Sequence, residues 1–353
     1  MQNEAAELIG GDRSYADYLE LAQVLAMRHK APLSLANESG QGPGRGIFKN
    51  KTLRRRLSFT PYVHNQCSAE CVFCSERLLR KQSMPKKLRI SEDYEDRLMK
   101  ILEDLGEVSL FLSVSGMEPL ESLPLVEKIL AVFADYEKNG GSISERVIYT
   151  NLSQAAKRPE AVLRLLEQYP LSRIESSRHH YDTRINDSIM RFRAGQPIRD
   201  TRAYERAVLL LQKHIRIRLA CVLQKRGVAG LEDLGQYLEW ALSLGVRDIS
   251  FRELALLGDE VTGGRSYRYI LENRQSIFAL LERLPSKFTL SSIVQGYYYF
   301  SFRYRYRDMA NVTFSVSDYR EMARRHESGA INKLIYYPDG SLCTDWNMLG
   351  RIY

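Results

Sequence analysis

Three cysteines fall close together in the run Asn65-Gln66-Cys67-Ser68-Ala69-Glu70-Cys71-Val72-Phe73-Cys74, with spacing C-x3-C-x2-C. Thiolates are soft ligands that suit iron–sulfur clusters and zinc. Three of them can hold three irons of a 4Fe-4S cluster and leave the fourth iron open, whereas a closed electron-transfer cluster takes four cysteines. An open coordination position is where a substrate or cofactor binds and chemistry begins. The same thiols could close a zinc site, with His64 or a distant cysteine as fourth ligand. A non-catalytic Fe-S or zinc protein is therefore the reading to be excluded.

The elements that must position this loop follow from the rest of the chain. It has 353 residues, enough for one α/β barrel with appendages, and is 44% apolar and 27% charged, as expected of a globular protein with a large core. No apolar stretch approaches the roughly 20 residues that cross a bilayer. The first seven residues carry acid where an export leader carries base, which gives the expectation of a cytoplasmic protein with reduced thiols. Lysine and arginine number 51 against 43 acids, a net charge of +8. These charges are dispersed apart from Lys49 to Arg56 and the Arg303, Arg305, Arg307 row, and no recognition motif accompanies them. A nucleic-acid partner is not expected, and neither is a membrane.

Residues 14–29 read as a helix with Ser14 and Asp17 as a capping box. Residues 38–46, rich in glycine, read as a linker. Strands are expected at 57–63, 108–114, 146–150, 173–177, 216–223 and 247–252, separated by helices, one of them at 231–244. Such alternation implies parallel pairing with right-handed crossovers. Beyond residue 255 a helix is expected at 267–284, then strand-like runs at 287–295, 297–307 and 312–316 and a hairpin around Pro338-Asp339-Gly340. The domain expectation is residues 1–55 as N-terminal helix and linker, 56–255 as core, and 256–353 as a cap with β-hairpins. The fold class is thus α/β, a partial (β/α)6 TIM-like barrel with an N-terminal helical extension and a β-rich C-terminal cap.

The cysteine motif lies directly after the first strand of the series, where α/β folds place chemistry. With Phe73 before the last cysteine, motif and position resemble the radical S-adenosylmethionine (radical SAM) superfamily over roughly residues 56–255. The resemblance implies one 4Fe-4S cluster held by Cys67, Cys71 and Cys74. It further implies S-adenosylmethionine chelated at the open iron, reductive cleavage to a 5′-deoxyadenosyl radical, and hydrogen abstraction from a substrate. An electron donor such as flavodoxin or ferredoxin is implied as a partner. Ser115-Gly116-Met117-Glu118-Pro119 looks like the family's Gly-Gly-Glu-Pro turn, so Ser115, Gly116 and Glu118 are expected at the cofactor with Phe73. Thr150-Asn151-Leu152 resembles Thr-Asn-Gly, which adds Thr150 and Asn151. Ser177 matches the family's ribose-binding serine. For the cofactor carboxylate, Arg178, Arg184, Arg191 and Arg193 all qualify, and Arg191 stands in the candidate set.

Other side chains carry paired readings. His179 and His180 could meet substrate or serve as structural hydrogen-bond partners. Arg252, with its neighbour Glu253, could bind substrate or pack. In residues 302–307 arginines alternate with aromatics. This puts a basic row with Arg303 on one strand face and an aromatic row with Tyr304 on the other, read either as a pocket wall for an anionic or sugar-like substrate or as a solvated edge beside a packed face. Cys221 reads as a buried structural thiol. Cys343 could return a hydrogen atom to a substrate radical or simply pack. Two residual cysteines cannot hold an auxiliary cluster. The expected substrate is a small biosynthetic metabolite such as a sugar, nucleoside or amino-acid derivative; a residue within a peptide is the alternative.

Overall fold

The strand–helix alternation expected over the middle of the chain is present in the computed structural model, which describes residues 13–36, 41–63, 67–78, 89–257, 263–326, 330–344, 346, 348 and 350–353. Its strands are β1 (Leu33–Leu35), β2 (Gln41–Pro43), β3 (Thr52–Val63), β4 (Ser109–Gly116), β5 (Ser142–Thr150), β6 (Arg173–Ser177), β7 (Ile217–Leu223) and β8 (Asp248–Glu253). They continue as β9 (Phe288–Gln295), β10 (Tyr299–Tyr306), β11 (Ala310–Ser317), β12 (Ala330–Tyr336) and β13 (Leu342–Cys343). Strands β3 to β8 lie side by side in chain order, every neighbouring pair parallel. Helices Tyr94–Asp104, Leu123–Lys138, Pro159–Gln168, Thr201–Leu211 and Leu231–Ser243 make the crossovers. Their apolar faces cover one side of the sheet, as when Phe133 meets Phe59 edge-on at 5.6 Å between ring centroids.

The six-strand series is not joined to itself by a ladder. β8 pairs in parallel with β11 instead, and β3 with β12. Here the structure corrects the expected C-terminal cap. The late strands are not a layer over one end of a barrel; they extend the same sheet at both margins, in the order β1-β9-β10-β11-β8 on one side and β3-β12-β13 on the other. The cause is unsatisfied backbone, because each outer strand of the parallel series offers a free row of N–H and C=O groups.

The two margins also meet through side chains. Tyr62 (β3), Ile335 (β12), Tyr337, Cys343 and Trp346 form one buried cluster with Met322 from the helix Tyr319–His326, and Tyr297, Tyr298 and Tyr319 pack against it. The sheet must curl to bring these together, so the open side of the series is filled by aromatic rings rather than backbone bonds.

The N-terminal helix Tyr15–His29 has the expected capping box: Ser14 Oγ accepts from the Asp17 amide, and Asp17 Oδ2 from the Ser14 amide. It docks on the late strands, with Tyr15 4.7 Å from Phe300 between centroids and the Tyr18 hydroxyl donating to buried Glu253 at 2.6 Å. The helix expected at 267–284 is two, Gly264–Asn273 and Phe278–Glu282. The break lies where the Ile277 amide and Arg274 both turn to Glu253. The helix Tyr319–His326 was not expected from sequence. No described helix is long and apolar enough to cross a membrane. Of the expected linker, residues 38–40 lie outside the described residues, as does His64.

Candidate functional site

Three strand ends converge on the cysteine loop. β4 runs into Gly116, which sits at φ 129° with its Cα against β3; a Cβ there would lie 2.1 Å from the Val63 carbonyl oxygen, so only glycine fits. The Met117 amide then donates to Val63 O at 3.1 Å, which fixes the turn. Glu118 follows, 2% exposed, and its carboxylate organises the next strand end. Oε1 accepts from Thr150 Oγ1 at 2.5 Å and the Leu120 amide at 3.3 Å; Oε2 accepts from the Asn151 amide at 2.7 Å. Burial nevertheless pushes the Glu118 carboxyl up to about 7, against the pull of those three donors. A cationic group arriving beside it would restore the carboxylate.

Asn151 carries the link onward. Its Nδ2 donates to Ser68 Oγ at 3.0 Å and lies 3.8 Å from Cys67 Sγ, while its Oδ1 accepts from the Ser153 amide. Leu152, where the resembled motif has glycine, adopts the left-handed conformation at φ 62°. Its amide is held by Thr150 Oγ1 at 2.9 Å, so the local bond sustains a backbone that leucine disfavours. The Thr-Asn turn therefore keeps its shape without the glycine.

The loop itself is clamped from the other side by backbone. Glu70 N donates to Met190 O and Arg191 O, Val72 N to Ile189 O, and Arg193 N to Ser68 O. Residues 189–193 span the end of the helix Thr183–Met190, with its C-cap Arg191 left-handed at φ 49°. Sequence reasoning missed this clamp and missed Ser68; only the approach of two segments far apart in the chain reveals them.

None of the five cysteines is in a disulfide. Burial raises the thiol of Cys67 to about 12, with Glu118 next in effect, and raises Cys71 and Cys74 above the usual thiol range. Cys71 is raised further by Cys74 and Cys67, which shows that the three share one electrostatic neighbourhood. Three thiolates so placed would need a cationic partner, such as a metal. The donor set, three reduced thiols on one clamped loop, fits a three-cysteine cluster. Among the described residues no three Cys, His, Asp or Glu side chains converge as a ligand set for a single metal ion.

Phe73 meets the His179 ring edge-on at 4.9 Å between centroids, joining the loop to the end of β6. His179 is committed: Nδ1 accepts from the Val222 amide at 3.1 Å, which leaves the proton on Nε2, and burial, then Arg178 and Arg252, lower its pKa to about 3. His180 Nδ1 likewise accepts from the Asp182 amide. Cys221 Sγ donates to the His179 carbonyl from a fully buried position, the structural thiol expected. Of the four arginine candidates for the cofactor carboxylate, Arg178 is turned away. It is wholly buried, with Nη1 on Ile198 O, Nη2 on Thr201 Oγ1, and its guanidinium over the Tyr204 ring.

Arg252, near the end of β8, pairs with Glu175 on β6, which is 1% exposed and also faces Arg218 and Arg173. The charge of Glu175 raises the Arg252 pKa further. This places Arg252 on the uncovered face of the sheet, over the Tyr149 ring. Ser177 shares its strand face with Glu175 and is half-buried.

Arg303 and Tyr304 lie on opposite faces of β10, as the alternation implies. The alternation along β10 leaves Arg303 exposed, while Tyr304 is 2% exposed and packs against Phe288 and Phe314 in the core. Tyr304 is thus corrected from a pocket residue to a core residue. Cys343 is fully buried in the aromatic cluster that fills the open side of the sheet.

Among solved structures the chain is similar to SuiB of Streptococcus suis bound to the precursor peptide SuiA, at 14% identity over 84% of this chain and 60% of that one, with TM-score 0.50. It also aligns with anSMEcpe bound to AdoMet and the Cp18Cys peptide, at 16% identity over 61% and 54% of the two chains, with TM-score 0.45. The chain spans less than two thirds of either protein. No protein-family model matches the sequence, and no curated protein matches it either. The likeness to SuiB is one of fold.

Proposed function

We propose that this chain is a radical SAM enzyme with a single three-cysteine 4Fe-4S cluster. The observation that carries the proposal is the chain of contacts from Glu118 through Thr150 and Asn151 to Ser68 and Cys67. It ties three strand ends to one loop of reduced thiols. When bound, the cluster and S-adenosylmethionine supply a one-electron cleavage that yields a 5′-deoxyadenosyl radical.

Cys67, Cys71 and Cys74 hold the metal. Glu118, buried and raised toward neutrality, takes the cofactor ammonium and becomes a carboxylate as it does so. Ser115 and Gly116 offer backbone carbonyls beside it, with Phe73, Thr150 and Asn151 completing that wall. Ser177 takes the ribose, and Arg191, whose backbone already clamps the loop, is the carboxylate partner. His179, neutral with its proton on Nε2, presents a hydrogen-bond donor rather than a charge. Arg252 on the uncovered face is the substrate contact best supported, since Glu175 holds its guanidinium in place; Arg303 stands further out. The aromatic cluster at the open side of the sheet excludes water from the radical path.

The substrate is proposed to be either a small metabolite or a residue within a peptide. SuiB was solved with a precursor peptide, which gives the second reading equal standing. Cys343 serves as hydrogen donor only if the aromatic cluster opens toward the substrate. The test is anaerobic reconstitution with iron and sulfide, reduction, and addition of S-adenosylmethionine. Formation of 5′-deoxyadenosine with about four irons per chain supports the proposal. A colourless protein carrying one zinc and cleaving nothing would replace it with the zinc reading.

A further inference from the structure

Beyond β8 the sheet continues through β11 and β10, whose residues alternate between two unlike faces. Phe302 and Tyr304 on β10 and Phe314 on β11 are buried on one side. The residues between them share the face that carries Arg252. Ser315 is in register with Arg252 and with Ser301, and Thr313 with Ser250 and with Arg303. Arg303 is exposed, while Ser301, Thr313 and Ser315 are half-buried. Strands β9, β10 and β11 contain no aspartate or glutamate. This half of the uncovered face is therefore a floor of hydroxyls with cations standing on it. Arg305 is occupied, donating to Asn311 Oδ1 and to the Asp308 carbonyl. Arg303 makes no ion pair among the described residues.

Arg252 is the cation at the inner end. Its partner Glu175 divides one negative charge among Arg252, Arg218 and Arg173. Arg218 has a second acid in Asp248 and Arg173 one in Glu145, whereas Arg252 has none among the described residues. The Arg252 Nε is buried without a hydrogen-bond partner. Its guanidinium lies over Tyr149, the residue before the Thr150 that meets Glu118, so this end of the floor abuts the proposed cofactor wall.

Arg303 stands two strands from Arg252 and one same-face step along. That is about 10 Å across and about 7 Å along, or roughly 12 Å between Cα atoms. A single sugar or amino acid is shorter than this, and about four extended residues of a peptide match it.

We infer that the substrate is an acidic peptide segment, laid extended across β8, β11 and β10 with one carboxylate on Arg252 and another, about four residues away, on Arg303. The inference rests on the proposed function and narrows its two substrate readings to the peptide. Charge decides the chemistry, since an acid-free face with two under-neutralised arginines complements carboxylates. A single nucleic-acid strand would want aromatic platforms, and the rings flanking Arg303 are buried on the other side.

Binding is measured on the full chain, reconstituted as above and left unreduced, at low and moderate salt. The probes are a labelled peptide of alternating glutamate and serine, the same peptide with glutamine for glutamate, glutarate as competitor, and poly(U). The variants are Arg303→Glu and, as an equal charge change elsewhere, Lys100→Glu at an exposed position of the helix Tyr94–Asp104. Wild type and Lys100→Glu should bind the glutamate peptide alike, about tenfold or more tighter than the glutamine peptide. Arg303→Glu should lose about tenfold, with a flattened salt dependence. Arg303→Ala, with a smaller loss in the same order, guards against a folding defect of the reversal. Equal binding of the two peptides, or equal losses in Arg303→Glu and Lys100→Glu, would overturn the inference. So would displacement of the peptide by equimolar glutarate, or poly(U) binding that is tighter than the peptide's and lost in Arg303→Glu. If the reduced chain forms no 5′-deoxyadenosine, it is the proposed function that fails, whereas the binding comparison still judges this face.

Discussion

Asn151 Nδ2 lies 3.8 Å from Cys67 Sγ, across 84 residues of chain, and the same amide nitrogen donates to Ser68 Oγ at 3.0 Å. One side chain at the end of β5 thus orients the loop that follows β3. Asn151→Ala removes the bond to Ser68 and leaves that buried hydroxyl short of a partner, a loss of about 1–3 kcal/mol. The expected outcome is lower iron retention after gel filtration, with most of the fold's stability intact by circular dichroism. Full iron retention would deny Asn151 its positioning role.

Cys71→Ala should abolish iron binding and the brown colour together, while Cys221→Ala should keep both. Iron analysis and absorbance after reconstitution separate the two. If Cys71→Ala retained a full complement of iron, the ligand assignment would be wrong.

Glu118 gives a pH signature. Its carboxyl is raised to about 7, so between the ordinary carboxylate range and pH 7 the folded chain binds a proton that the unfolded chain has released. Its contribution to stability is therefore intact at low pH and declines as pH rises through that window, by up to about 3 kcal/mol. Denaturation of the cofactor-free protein at pH 5 and pH 7.5 should show a smaller decline in Glu118→Gln than in wild type. Identical pH slopes would show that Glu118 is ionised throughout.

His179 should not titrate near neutrality. Lowered to about 3 by burial and its cationic neighbours, it stays neutral, and its contribution to stability is present above the ordinary histidine range and lost only as pH falls below it. Nitrogen chemical shifts of the imidazole should stay constant from pH 5 to pH 8 and report the Nε2-H tautomer. A midpoint near 6.5 would show instead an exposed, titrating ring.

The N-terminal helix is held by two hydroxyls, Tyr15 on Gly296 O and Tyr18 on Glu253. Tyr18→Phe removes the donor to Glu253 and should cost about 1–3 kcal/mol, read as a lower denaturation midpoint and faster proteolysis near residue 30. An unchanged midpoint would make the contact incidental.

What the sequence disclosed, and what it hid, divides along the range of the interactions. The six parallel strands and the Ser14 capping box are encoded locally, in apolar runs, turn residues and a three-residue spacing, and they emerged within a few residues of their observed bounds. The cysteine spacing is local too, whereas Gly116, Glu118 and Asn151 were singled out by the resemblance of their turns to those of a known family. The pairing of β11 with β8 and of β12 with β3 joins segments distant in sequence, and no local pattern records it. The helix Tyr319–His326 escaped notice because its charged face outweighs the single buried Met322. Arg303 and Tyr304 were expected on opposite faces of one strand, but whether the aromatic row lines a pocket or the core depends on distant elements such as Phe288 and Phe314, which no local pattern records. Arg178 looked equivalent to Arg191 until its burial against Tyr204 came into view.

The most direct measurement of the central claim is electron paramagnetic resonance on the reduced, reconstituted protein before and after S-adenosylmethionine is added. Occupation of an open iron by the cofactor should change the g-values of the reduced cluster, and the change should vanish in Glu118→Ala at limiting cofactor. A spectrum unchanged by saturating S-adenosylmethionine would show that no coordination position is open, and the proposed chemistry would be contradicted.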